Sequence, residues 1–180
     1  MTQRRLYLRR EGKTVAKSFR VNGKALAAIQ QEADRQNISL NTLVNQLLID
    51  YSEFGRFTKR LGALRLTRKT FEAVLVAASE EALASGARSA GKSAPLALIT
   101  AKWGKLTPGI VLEYVRDLSS YANLYEYNEM NEEGHQTITL MHELGPKWSV
   151  FLANYLGEAF AAAGTKPRIS TSDRAVIFSL

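Results

Sequence analysis

The chain has 180 residues, 46% of them hydrophobic, which is enough for one or two packed domains and excludes a coreless tail or a disulfide-dependent miniprotein. It contains no cysteine, which removes disulfides, thiolate metal sites and cysteine nucleophiles together. The net charge of +7 resides in residues 1–24, where Arg4, Arg5, Arg9, Arg10, Lys13, Lys17, Arg20 and Lys24 face the single acid Glu11; the other 156 residues hold 16 basic and 16 acidic side chains. Such segregation marks an end of the chain that meets a polyanion, with a solvated basic arm as the plain alternative. No stretch approaches eighteen uncharged apolar residues, and no apolar h-region follows the first arginines. A cytoplasmic protein with no spanning helix or signal peptide is expected.

Residues 14–21, TVAKSFRV, alternate with period two: Val15, Lys17, Phe19 and Val21 on one face, Ala16, Ser18 and Arg20 on the other. A short strand is expected there. Asn22-Gly23 breaks it, and a helix begins at Lys24 with Leu26, Ile29 and Ala33 on one side. Asn37 is placed to stop that helix in the left-handed conformation, and Ser39 to cap the next. In this second helix Leu40, Leu43, Val44, Leu47, Leu48, Tyr51 and Phe54 recur at spacings of three and four, and Gly55 is expected to end it. One strand and two helices cannot bury the faces they present. If two copies pair their strands antiparallel and interlock their helices, the strand edge and the apolar stripe are buried at once. The expected dimer core is Phe19, Val21, Leu26, Ile29, Leu43, Val44, Leu47, Leu48 and Tyr51.

The stretch KSFRVNGKALAAIQQEADRQNISLNTLVNQLLIDY, residues 17–51, resembles the ribbon-helix-helix DNA-binding proteins, which include the methionine, Arc and nickel-responsive repressors and many plasmid copy-control proteins and antitoxins. The resemblance is carried by the strand SFRV, the stripe Leu26, Ile29 and Ala33, and the turn and helix start NISLNTLVNQLL. Two positions depart from it: Lys17 stands where an aliphatic residue is usual, and Asn37 where glycine is commoner. The resemblance implies a two-stranded ribbon in the major groove of double-stranded DNA, with Ala16, Ser18 and Arg20 turned toward the bases. Arg20 suits a bidentate contact to guanine, Ser18 a hydroxyl contact and Ala16 a methyl contact. Lys17 and the amides around Ser39, Leu40, Asn41 and Thr42 are then phosphate contacts, the latter at the positive end of a helix dipole. The arm, through Arg4, Arg5, Arg9 and Arg10, is expected to be disordered when free and to follow the backbone or a minor groove when bound.

Beyond Gly55 lies GRFTKRLGALRLTRK, where Arg56, Lys59, Arg60, Arg65, Arg68 and Lys69 have no acid among them. A helix is expected over 67–84, a small-residue connection over 85–95, a strand over 96–101, and a helix from Thr107-Pro108 to about 121. Strands follow over 124–128 and 137–142, separated by the turn 131–134; then come a helix over 146–163 and a strand over 175–179. From 96 onward this order suits a ferredoxin-like or ACT-type α+β sandwich. The organisation expected is thus a flexible basic arm (1–13), a ribbon-helix-helix DNA-binding and dimerisation domain (14–55), a basic linker (56–69) and a C-terminal domain (70–180) for oligomerisation, effector sensing or partner binding.

Catalytic and metal chemistry find little support. The two histidines, His135 and His142, are seven apart and expected on opposite faces of a strand, so they cannot close a metal site alone; the nickel-responsive repressor's ligands have no counterpart here. Glu129, Glu132 and Glu133 read as a solvated hairpin tip. Trp103, Trp148, Tyr114, Tyr121, Tyr125, Tyr127 and Tyr155 suit a core before a ligand pocket. The expectation is a non-enzymatic, cofactor-free dimer or higher oligomer that regulates transcription, as a repressor. The alternative is an antitoxin, plasmid partition or relaxosome accessory protein whose C-terminal domain grips a protein partner.

Overall fold

The computed structural model describes residues 14–132 and 135–180, with the backbone but not the side chain of His135. Two compact units divide the chain between Arg56 and Phe57. Helix and an antiparallel sheet are both present, as an α+β chain requires.

In the first unit, helix α1 (Gly23–Arg35) starts at Asn22, whose side-chain oxygen accepts from the amides of Lys24 and Ala25 at 3.0 and 3.2 Å. The asparagine that breaks the alternating segment is thus also the cap of the helix. Asn37 is left-handed, with φ 53°. The amide of Ile38 donates to Ala33 O and that of Asn37 to Asp34 O, the paired bonds that close a helix with a left-handed residue after its cap. Helix α2 (Leu40–Asp50) follows, with Ala33 of α1 and Leu43 of α2 buried where the two meet. Contrary to expectation, Gly55 does not end the helical path. A π-helical turn, Tyr51–Gly55, follows α2; the short helix α3 (Arg56–Arg60), which from Phe57 on belongs to the second unit, is stopped by the left-handed Gly62 (φ 71°). The expected strand over 14–21 is absent from the single chain: residues 14–22 form neither helix nor strand. A lone strand has no ladder to join, so its backbone groups stay with water.

The second unit contains α4 (Arg68–Ala77), α5 (Glu80–Gly91), α6 (Ala94–Trp103), α7 (Pro108–Ala122), the strands β1 (Glu126–Glu132) and β2 (His135–Met141), α8 (Pro146–Ala162), and the strands β3 (Arg168–Thr171) and β4 (Ala175–Ser179). The single helix expected over 67–84 is two, because Ala78 turns extended (ψ 145°) and Ser79 caps a new helix by accepting from Ala82 N at 3.2 Å. Lys147 Nζ donates to Val76 O and Ala78 O at 2.9 and 2.6 Å, satisfying carbonyls at the end of α4.

The small residues of 85–91 are not a connection. They let α5 lie against α8 so closely that a Cβ on Gly91 would stand 2.5 Å from Tyr155 O. The expected strand over 96–101 is helix α6, opened by Pro95 in its first turn and closed by the left-handed Gly104 (φ 68°). Its buried residues Pro95, Leu98 and Ile99 follow a helical spacing.

The sheet order is β1-β2-β4-β3, every neighbour antiparallel. The ferredoxin-like or ACT-type expectation therefore fails. Its first strand is α6, and the four-residue β3 adds a strand that the expected order lacks. The inner sheet face supplies Ile138, Leu140, Val176 and Phe178, and α7 and α8 supply Val111, Val115, Leu152, Leu156 and Phe160, all fully or almost fully buried. Phe160 and Phe178 meet at 5.4 Å between ring centroids.

Candidate nucleic-acid interface

Ala16, Lys17, Ser18 and Arg20 all lie in the exposed segment 14–22, as do the apolar Val15, Phe19 and Val21. Phe19 is 76% exposed, far outside the range of a core phenylalanine. Arg4, Arg5, Arg9 and Arg10 fall outside the described residues.

The start of α2 has the geometry its residues promise. Ser39 is extended (φ −70°, ψ 150°), and its hydroxyl accepts from Thr42 N at 3.0 Å and lies 2.7 Å from Thr42 Oγ1. Leu43 N takes Ser39 O as the first helical bond, so the amides of Leu40 and Asn41 belong to the turn that has no intrahelical acceptor. No acid occupies that turn, which leaves the positive end of the dipole uncompensated. The cap is legible as S-L-N-T; the supporting Thr42 hydroxyl emerges only from the geometry.

On the other side of α2 the expected dimer stripe is continuous but only half covered. Leu43 is buried, at 6% exposure, and Ile29 and Val44 are partly covered. Farther along, Leu47, Leu48 and Tyr51 stand open, Leu48 at 56%, and so does Leu26 of α1. The three- and four-residue spacing puts the α2 residues on one face, the first half of which is covered while the second half stays about half exposed in this unit.

Charge around α1 is sorted. Arg35 is held by Glu32 at 2.6 Å, and together with Gln36 it keeps the Glu32 carboxyl down at about 2. Arg35 is thereby neutralised in place. Lys17, Arg20 and Lys24 have no ion-pair partner among the described residues.

The second unit's polar clusters act as ties between elements. His142 is buried: its Nδ1 accepts from Leu144 N at 3.4 Å, which leaves Nε2 to donate to Ser149 Oγ at 2.9 Å, and Ser149 donates to Ser172 O at 2.6 Å. Burial, with Arg174 adding to it, pushes the imidazole pKa down. The chain joins the end of β2 to α8 and to the β3–β4 turn, and Ser149, 1% exposed, is shut away from substrates.

Glu129, expected as part of a solvated hairpin tip, is instead a hub. It accepts from Arg116, Tyr127 and Gln136 at 2.6, 2.8 and 2.7 Å, and these donors hold its carboxyl at about 2. Lys102 and Asp117 form a buried pair at 2.6 Å joining α6 to α7. Trp148, Tyr114 and Tyr125 are core residues; Tyr114 and Tyr155 share a hydroxyl contact of 2.7 Å. Among the described residues no cluster of metal-ligating side chains exists, and no helix is long and apolar enough to cross a membrane.

Comparison of the chain with protein-family models, curated proteins and solved structures finds no match. The functional reading therefore rests on the residues themselves.

Proposed function

We propose that the protein is a dimeric, sequence-specific DNA-binding regulator of transcription, a repressor, whose N-terminal segments pair as a β-ribbon in the major groove. The observation that carries this reading is the coincidence in one short unit of exposed apolar side chains, Phe19, Val21, Leu26, Leu47, Leu48 and Tyr51, with an acid-free exposed segment bearing Lys17, Arg20 and Lys24. Antiparallel pairing of two copies of residues 14–21 satisfies the backbone and turns Ala16, Ser18 and Arg20 to one side, while Phe19 and Val21 turn to the other. The acid-free start of α2 then suits a flanking phosphate. The second unit, with its own closed core, serves oligomerisation, effector sensing or partner binding.

Selection of bound fragments from a random duplex library tests the reading. A recurring palindromic or tandem motif, bound several orders of magnitude more tightly than a scrambled duplex, is the expected outcome. Arg20→Ala should then lose about 1–3 kcal/mol of discrimination at one position of the motif without dissociating the dimer. Equal affinity for every duplex would overturn sequence-specific recognition.

A further inference from the structure

We propose that residues 59–69 form a second DNA-contacting strip, which holds the phosphate backbone while residues 16–20 read base pairs. This deepens the reading above and rests on it.

Between Glu53 and Glu72 the chain has no acid and six cations. Two of the six are engaged within the protein: Arg56 Nε donates to Ser52 O at 2.8 Å, and Arg68 pairs with Glu143. The other four, Lys59, Arg60, Arg65 and Lys69, are exposed, and their side chains make no hydrogen bond or ion pair with any described residue. Arg116, Lys102 and Lys147, in contrast, are each fixed by partners inside their unit. Four unmatched cations in eleven residues repel one another, and a polyanion relieves that repulsion.

The backbone spreads them out. α3 ends where Gly62 N donates to Lys59 O and Ala63 N to Thr58 O, and residues 63–67 then run without helix or strand to the cap of α4. A five-residue helix and five extended residues span up to roughly 25 Å, along which one strand of B-DNA presents about seven phosphates.

Exposed Leu61, Leu64 and Leu66 lie between the cations and raise an anionic membrane surface as the competing partner. Surface binding of that kind uses a helix with aligned apolar and basic faces. Here the leucines of 63–67 are not helical, and the one large apolar side chain of α3, Phe57, is buried. Phosphate contact without apolar insertion fits the strip better.

The test is the salt dependence of duplex affinity for the full-length protein and for a variant carrying Lys59→Gln, Arg60→Gln, Arg65→Gln and Lys69→Gln. A second variant carries Lys92→Gln, Lys105→Gln and Lys166→Gln, three exposed cations elsewhere in the same unit. The first variant should bind selected and random duplexes at least about tenfold more weakly at low salt. Its plot of log affinity against log salt should be shallower by about 2 to 4, because each phosphate that a cation neutralises adds close to one to the slope. The second variant should match the wild type. An Arg60→Lys/Arg65→Lys variant should retain the slope, which separates charge from folding.

Equal slopes for the wild type and the first variant would overturn the strip while leaving the DNA reading intact. So would an unchanged duplex affinity combined with abolished binding to vesicles of mixed phosphatidylserine and phosphatidylcholine. A wild type that binds no duplex at any salt would overturn both.

Discussion

Within one copy of the chain, residues 57–180 bring Ile138, Leu140, Val176 and Phe178 of the sheet together with Leu152, Leu156 and Phe160 of α8 and exclude water from all of them. Residues 14–56 have comparable apolar side chains in a comparably regular pattern, yet Phe19, Val21, Leu47, Leu48 and Tyr51 remain open. The two regions differ in how far one copy closes them. The larger one has a sheet with helices against its inner face, a two-layer solution that closes alone. The smaller one has two helices and an unpaired segment, which bury only Ala33 and Leu43 outright. If a second copy covers these residues, as proposed, the stability of this region depends on protein concentration, whereas burial inside one copy does not.

Leu47→Asp should break this contrast most severely. A charge placed on the open half of the α2 stripe costs little in a single copy but blocks its burial against another, so dimerisation and DNA binding should disappear together in sedimentation and binding assays. The thermal transition of the second unit should survive. A DNA-binding dimer in this variant would show that the stripe is not an interface.

Inside the closed unit the largest single loss should come from Lys102→Met, which removes the buried cation 2.6 Å from the Asp117 carboxylate; about 3–5 kcal/mol should be lost in denaturant unfolding. Asp117→Leu added to it should recover part of that loss.

Gly91→Val forces a side chain into the contact between α5 and α8, at 2.5 Å from a carbonyl oxygen, and should cost about 1–3 kcal/mol. Gly86→Ala, on the same helix with open space around it, should be stabilising by up to about 1 kcal/mol.

The smallest effect is a pH dependence. His142 is kept neutral in the folded state while the unfolded chain protonates near pH 6.5, so stability should decline as pH falls below about 6.5 and level off beneath the lowered folded value. His142→Gln should flatten that decline in unfolding curves between about pH 5 and 8. Glu129, held at about 2, acts in a separate window: its contribution is full above about pH 4.5 and is lost as pH falls through about 2.

The elements legible in the sequence are those written in local chemistry. Ser39 and Asn37 bracket the α1–α2 turn through bonds within a few residues, and Thr107-Pro108, Gly145-Pro146 and the alternation of 175–179 likewise bound α7, α8 and β4. The elements missed depend on partners distant in sequence. α5 resembles a linker because its small residues exist to admit α8, and α6 resembles a strand because a short apolar run fits either period. β3 is four residues long and gains its order from pairing with β4. Residues 14–21 are the reverse case: they alternate as a strand would, yet form neither helix nor strand in the single chain.

For the candidate interface, the cap locates Ser39, Leu40, Asn41 and Thr42 in the sequence, and the alternating run locates Arg20 and Lys17. The hub role of Glu129 is hidden there because Arg116 reaches it from a helix thirteen residues earlier.

Sedimentation of the full-length protein over a wide concentration range tests the central claim, that residues 14–56 are completed by a second copy. A reversible monomer–dimer equilibrium that Leu47→Asp abolishes, with strand signal rising on dimerisation, is the predicted result. A chain that stays monomeric at all concentrations, with residues 14–22 unpaired and the α2 stripe still open, would contradict it.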